Sequence, residues 1–174
     1  MEFDLQVLWE EHLKCEFETK DALATMKTMT ENPFVNHIPT MTGGYGYEEV
    51  YDFYKNHFIG KLPDDMNLFP VSRTVGNDKL VDEFVLSFTH DRQIDFMLPG
   101  VPATGKFVRL PHIVVVYFEK DKISGEHIYW DQASLLVQIG LLDSANFPIS
   151  GIEQSKKFYK KDCPSNTLIK KFLL

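Results

Sequence analysis

The feature that most constrains this chain is a run of β-rich segments, separated by short polar turns, from about Leu68 to Asp131. Segments 69–75 and 80–90 flank Gly76-Asn77-Asp78, a turn signal, and predict a hairpin. The second segment alternates. Leu80, Asp82, Phe84, Leu86, Phe88 and His90 share one face, and Val81, Glu83, Val85, Ser87 and Thr89 the other. A loop with Pro and Gly, 98–105, leads to segment 107–118, whose run Ile113-Val114-Val115-Val116-Tyr117-Phe118 is apolar on both faces and suits a central strand. A further polar turn, 119–122, precedes a fourth strand over 123–131.

The residues before this meander read as helix. Leu5, Leu8 and Trp9, then Leu23, Met26 and Met29, recur near helical spacing, with Thr19 or Asp21 as the cap of the second piece and Pro33 as its end. Residues 34–38 form a short extended stretch closed by Pro39, and Gly43, Gly44 and Gly46 a flexible turn. A helix over 47–58 places Val50, Tyr51, Tyr54 and Phe58 on one side, and another follows the meander at 133–141. Helices first and then strands joined by short turns predict an α+β fold with an antiparallel sheet. Nothing resembles a linker or a repeat, so residues 1–174 are expected to form one domain, with a core over about 5–142 and a C-terminal extension, 143–174, lacking periodicity.

Composition narrows the function classes. With 44% hydrophobic residues and 14 Phe, 7 Tyr and 2 Trp, the 174-residue chain carries enough apolar surface to build a core. Eighteen basic against 25 acidic residues give a net charge of −7, which argues against nucleic acid or an anionic membrane as partner. No apolar run approaches the roughly 18 residues of a membrane span, and the acidic start is unlike a signal peptide. Cys15 and Cys163 are too few for a disulfide framework or a metal cluster. Reduced thiols and a cytoplasmic location are the expectation.

Three familiar chemistries fail on the residues. The stretch 100–106 has the spacing of a phosphate loop, but Phe107 stands where the magnesium-binding hydroxyl belongs, and a strand follows instead of a helix. His37, His90, His112 and His127, with Glu83, Asp95, Glu126 and Asp131, offer metal-ligand chemistry, yet no paired His spacing accompanies them, and no metal is expected. His12 and His57 read as surface or interface residues of helices. No Gly-x-Ser-x-Gly elbow or activated cysteine signature is present. Acid–base chemistry remains. His127, Tyr129 and Asp131 alternate on one face of the last strand, opposite Glu126, Ile128 and Trp130. Either the polar set lines a cavity, or it meets solvent while Ile128 and Trp130 enter the core. Arg73 shares parity with Val71 and Val75 and offers a buried partner for Asp82 or Glu83.

The block 126–142, Glu-His-Ile-Tyr-Trp-Asp-Gln-Ala-Ser-Leu-Leu-Val-Gln-Ile-Gly-Leu-Leu, resembles the closing motif of SnoaL-like polyketide cyclases, in the nuclear transport factor 2-like superfamily. Phe88-Thr89-His90 and Leu98–Lys106 resemble stretches of the same group. Residues 37–44, 72–76 and 81–83 are similar to a subgroup described as carboxymethylenebutenolidase-like, at times fused to a dienelactone hydrolase domain. The hydrolase nucleophile belongs to that fusion partner, so lactone hydrolysis is not carried over. The resemblance implies a cone: a curved antiparallel sheet whose N-terminal helices enclose an apolar pocket. It also implies that His127, Tyr129 and Asp131 point inward.

On that basis the expected function is cofactor-free acid/base catalysis on a small apolar carbonyl compound, of the aldol cyclase or isomerase type. Asp131 would be the base and His90 its partner. Tyr129, Arg73, Glu83, His37 and His127 would contact the substrate, with Arg73 and Glu83 as a supporting pair and His37 at the pocket mouth. Two rivals stand beside it: hydrolysis of an epoxide or lactone by Asp131, Arg73 and Asp95 or Glu83, and binding without catalysis. An outward face bearing Ile128 and Trp130 would favour a homodimer.

Overall fold

The computed structural model describes residues 3–173. Its first helix, α1 (Leu5–Leu13), is capped by Asp4, whose carboxylate accepts from the amides of Gln6 and Val7, and runs into a π-helical turn, Lys14–Glu18. Asp21 caps α2 (Ala22–Lys27) through the amides of Leu23 and Ala24. The chain then enters β1 (Met29–His37) and β2 (Thr42–Tyr45). Helix α3 (Tyr47–Asp52) continues as a second π-helical turn, Phe53–Phe58. Four strands follow: β3 (Asn67–Val75), β4 (Lys79–Thr89), β5 (Phe107–Glu119) and β6 (Lys122–Trp130). Helix α4 (Gln132–Gln138) comes next, and the short helices α5 (Glu153–Lys156) and α6 (Thr167–Leu173) belong to the tail.

The six strands form one curved sheet in the order β2-β1-β6-β5-β4-β3. The hairpin and the meander stand as expected, with a bulge between Pro70 and Ser72. Two expectations at the N-terminal side are corrected. Met29 to Pro33 is strand, so the second helix ends at Lys27 and Pro33 lies inside β1. The sheet is mixed, because β1 runs parallel to β6, with Val35 opposite Glu126 and His37 opposite Ile128. The glycine turn is also more ordered than anticipated. Gly43 sits in β2 with φ +134, and a Cβ there would lie 1.9 Å from the Val35 carbonyl oxygen.

The helices cover one face of the sheet, and the core lies between the layers. Trp9, Met26, Val50, Phe53 and Tyr54 from the helical side meet Leu80, Leu86, Val114, Val116 and Ile128 from the strands. A bidentate ion pair anchors α1 to the sheet. Arg73 donates to both carboxylate oxygens of Asp82, at 2.8 and 3.2 Å, and to Glu10 at 2.9 Å, while the Trp9 indole donates to Asp82 at 2.8 Å. On the outer face the tail packs α5 against β5 and reaches β3 through the Tyr159 hydroxyl and the Phe69 carbonyl. Val85 and Ser87 point outward and are buried on that side. Among the described residues no helix is long and apolar enough to cross a membrane.

Candidate functional site

Between the helices and the inner face of the sheet lies a cavity of about 50 Å³. Most of its wall is apolar: Trp9, Phe17, Phe58, Phe84, Phe96 and Ile128 contribute. Five wall residues carry ionisable groups: Glu16, Glu126, Tyr54, His37 and His112. Each is brought there by a simple periodicity. Glu16 extends the stripe Leu5, Trp9, His12 down α1 and into the π turn. Tyr54 lies one turn beyond Val50, in the second π-helical segment. Glu126 shares the inner face of β6 with Ile128 and Trp130, and His112 pairs across the strands with both Phe84 and Trp130. Both π-helical turns thus carry cavity residues, a placement common at functional sites.

At one end of the cavity Glu16, Glu126, His12 and Tyr54 form a closed network. Nε2 of His12 lies 3.2 Å from Glu16 Oε1, 3.2 Å from Glu126 Oε1 and 3.2 Å from the Tyr54 hydroxyl. Tyr54 donates to Glu126 Oε1 at 3.0 Å. The proton on the other ring nitrogen follows from its neighbours. Thr28 donates its hydroxyl hydrogen to the Thr25 carbonyl, so its oxygen accepts from His12 Nδ1–H at 2.6 Å. Burial, the largest single influence on His12, works against its charged form. The two carboxylates together outweigh it and raise His12 to about 10, which makes it an imidazolium at neutral pH. Burial raises Glu16 above the usual carboxylate range against the pull of His12, and burial followed by the Glu126 charge raises the Tyr54 phenol.

His12, Glu16 and Glu126 also bring three donor atoms within 4.8 Å of one another, a spacing that suits a metal ion. With its Nδ1–H held by Thr28, His12 would offer Nε2 as the ligand. An ion there must displace the Nε2 proton, which this charge arrangement holds up to about pH 10.

The opposite end of the cavity is neutral. His112 stacks between Phe84 and Trp130, with centroids 5.3 and 5.5 Å away. Its Nδ1 meets the Leu110 carbonyl at 2.9 Å. His37 is packed among Phe53, Phe58, Phe96 and Trp130. Burial drives both imidazoles down, His37 to about 3 with a further push from His112, and His112 to about 4.

Of the residues given a catalytic or substrate-binding role from sequence, only His37 lines this cavity, and it sits in the buried wall instead of at a mouth. Glu126 and His112, named from sequence only for their metal-ligand chemistry, line it as well. The expected facing of β6 is reversed. Glu126, Ile128 and Trp130 are 4, 7 and 9% exposed and point inward, whereas Tyr129 is 42% exposed and Asp131 lies on the surface. Asp131 caps α4, accepting from the Ser134 amide at 3.0 Å. His127 is on the outer face against Phe34 and the Tyr117 hydroxyl. The reason is apolar area: Ile128 and Trp130 bury more of it than His127 and Tyr129 would. The patch expected to drive dimerisation is therefore inside the protomer.

Arg73 pairs with Asp82, and adjacent Glu83 points to the other face and accepts from Ser72. Of the set expected for a hydrolase, Asp131 and Glu83 line one surface groove with Tyr129, but Arg73, paired with Asp82, and Asp95, held by His57 and Lys61, are not in it. His90 is fully buried at the end of β4 but bonds to Thr104 and, through its backbone, fixes the 104–106 turn. From sequence, His12 and Tyr54 read only as helix residues, His112 only for its metal-ligand chemistry, and Glu16 is not singled out. For His12 and Glu16 a signal existed, because two ionisable residues four apart prolong the Leu5 and Trp9 stripe.

No family model matches the sequence, and no curated protein matches it significantly. Solved structures do match. TsrD from Streptomyces laurentii is 19% identical with a TM-score of 0.62, over 81% of this chain and 100% of its own. An NTF2-like protein of unknown function from Burkholderia pseudomallei K96243 is 17% identical with a TM-score of 0.59, over 78% and 96%. A candidate SnoaL-like polyketide cyclase from Jannaschia sp. CCS1 is 16% identical with a TM-score of 0.60, over 79% and 94%. At such identities a shared fold is what these likenesses show: the chain is an α+β protein with the nuclear transport factor 2-like fold.

Proposed function

We propose that this protein is a cofactor-independent acid/base catalyst acting on a small, largely apolar carbonyl compound, with Glu126 and Glu16 as its proton-handling pair. One observation carries the reading: two buried carboxylates, joined through one imidazolium, form part of the wall of an otherwise apolar cavity. A carboxylate in such surroundings can take a proton from the carbon next to a carbonyl. The proton that Glu126 takes passes through His12 Nε2, 3.2 Å from both carboxylates, to Glu16, whose hold on a proton burial strengthens. It returns to the guest by the same route. His12 holds the charge balance and Tyr54 orients Glu126. Aldol cyclisation and isomerisation both need this proton movement. The likeness to a candidate polyketide cyclase supports the general type, and the carboxymethylenebutenolidase-like subgroup remains a sequence resemblance within it.

Proton movement is testable before the substrate is named. Wild-type protein in deuterated buffer should exchange the α-hydrogens of at least one member of a panel of small apolar ketones, read by proton NMR. Glu126→Gln should slow that exchange by roughly 100-fold or more. Equal rates in the variant, with its fold intact by circular dichroism, would remove Glu126 from the chemistry. A second reading, ligand binding without turnover, is favoured by the mostly apolar wall, in which Trp9, Phe17, Phe58, Phe84 and Phe96 take part. Tight binding of a ketone that undergoes no exchange would select it.

A further inference from the structure

The neutral end of the cavity contains two ring nitrogens, His37 Nδ1 and His112 Nε2, that are buried and have no hydrogen-bond partner among the described residues. Unpaired buried polar atoms are uncommon, because each forfeits its hydration for nothing in return. Both rings line the same cavity, at 5 and 3% exposure.

The chemistry of His112 is fixed by its other nitrogen. Nδ1 faces the Leu110 carbonyl, which only accepts, so Nδ1 carries the hydrogen. Burial keeps the ring neutral, and Nε2 is then a bare lone pair. Such an atom welcomes an O–H or N–H hydrogen and repels an anionic oxygen. Glu16 and Glu126 in the same wall reinforce that exclusion. The flanking Phe84 and Trp130 rings provide flat apolar surface beside the nitrogen.

We infer that His112 Nε2 is the receptor for a hydroxyl or N–H group on the cavity's guest, with His37 Nδ1 beside it, so that the site selects neutral hydrogen-bond donors with a flat apolar body over both anions and plain hydrocarbons. This rests on the same cavity as the reading above and extends it to the guest's chemistry. Because the free volume is small, the guest must displace flexible wall side chains. Half-buried Met66, with its unbranched thioether, is the readiest to yield.

The test is a binding series on the full chain at neutral pH, by NMR titration with phenol, toluene and benzoate. Phenol should bind roughly tenfold tighter than toluene, the ratio expected for one hydrogen bond to an otherwise unpaired buried acceptor, and benzoate should bind least. In His112→Phe, which keeps the stacked ring, the preference for phenol over toluene should fall to about twofold or less. If that variant fails to fold, the His112 Nε2 nitrogen resonance of the wild type serves instead, and phenol but not toluene should move it. Equal affinities for phenol and toluene, benzoate bound tightest, an unchanged preference in the variant, or no binding by any of the three would each overturn the inference. No turnover enters the series. A protein that binds phenol through His112 yet exchanges no ketone α-hydrogen keeps this inference and loses the acid/base reading.

Discussion

The two ends of the cavity contain the same side chain under the same burial and with opposite charge. His12, fully enclosed, is raised to about 10, and His37 and His112, nearly as enclosed, are lowered to about 3 and about 4. Desolvation acts alike on all three. What differs is company: Glu16 and Glu126 stand 3.2 Å from His12, whereas among the described residues no carboxylate forms an ion pair with His37 or His112. Burial alone therefore does not set the protonation of a core histidine. Two carboxylates acting together outweigh it, and a chain can hold a cation and two neutral lone-pair donors around one small space.

The sharpest way to break this contrast is to remove the cation. His12→Leu leaves two carboxylates buried without a counter-charge, which should cost about 3–5 kcal/mol and lower the melting temperature by about 6–20 °C. The double variant His12→Leu, Glu126→Gln should recover much of that loss. A destabilisation that the second substitution leaves untouched would show that packing, not charge, is lost with His12.

The pH dependence of stability separates the two ends next. His12 has a folded pKa above its unfolded 6.5, so its contribution is complete below pH 6.5 and disappears as pH rises through about 10. His37 and His112 have folded values below 6.5. Their contribution is complete above pH 6.5 and is lost as pH falls toward about 3 for His37 and about 4 for His112. Denaturant melts across pH should show both limbs, and His112→Phe should flatten the acid limb alone by about 1–3 kcal/mol. An acid limb of the same steepness in that variant would take His112 out of the account.

A smaller effect distinguishes the inner and outer faces of β6. Asp131→Ala removes the α4 cap and should cost about 1 kcal/mol, while ketone exchange stays within about twofold of wild type. Loss of exchange on the scale of Glu126→Gln would restore Asp131 to the chemistry despite its exposure.

The strands were legible because alternation is local. Leu80 to His90 displays its two faces in sequence, and the structure keeps them. The parallel pairing of β1 with β6 was hidden, since it joins segments about 90 residues apart and no local pattern encodes it. Pro33 concealed the start of β1, a residue that reads as a helix stop and is accepted here within the strand.

The site was less legible than the fold. On β6 both faces carry ionisable groups, so polarity could not choose between them. Ile128 and Trp130 did point to the inner face, and the family motif pulled the assignment the other way. His12 reads as a surface or interface residue of a helix, and Glu16 draws no notice, because their partner, Glu126, lies more than 100 residues on. Their place on the Leu5 and Trp9 stripe is visible in the sequence, and only the folded chain shows that the stripe ends against Glu126.

The central claim is a permanent imidazolium between Glu16 and Glu126, and histidine NMR tests it most directly. With the ring nitrogens labelled, the account predicts that His12 stays protonated at pH 8 while His37 and His112 stay neutral at pH 5. A His12 that loses its proton near the ordinary pKa of about 6.5 would contradict it.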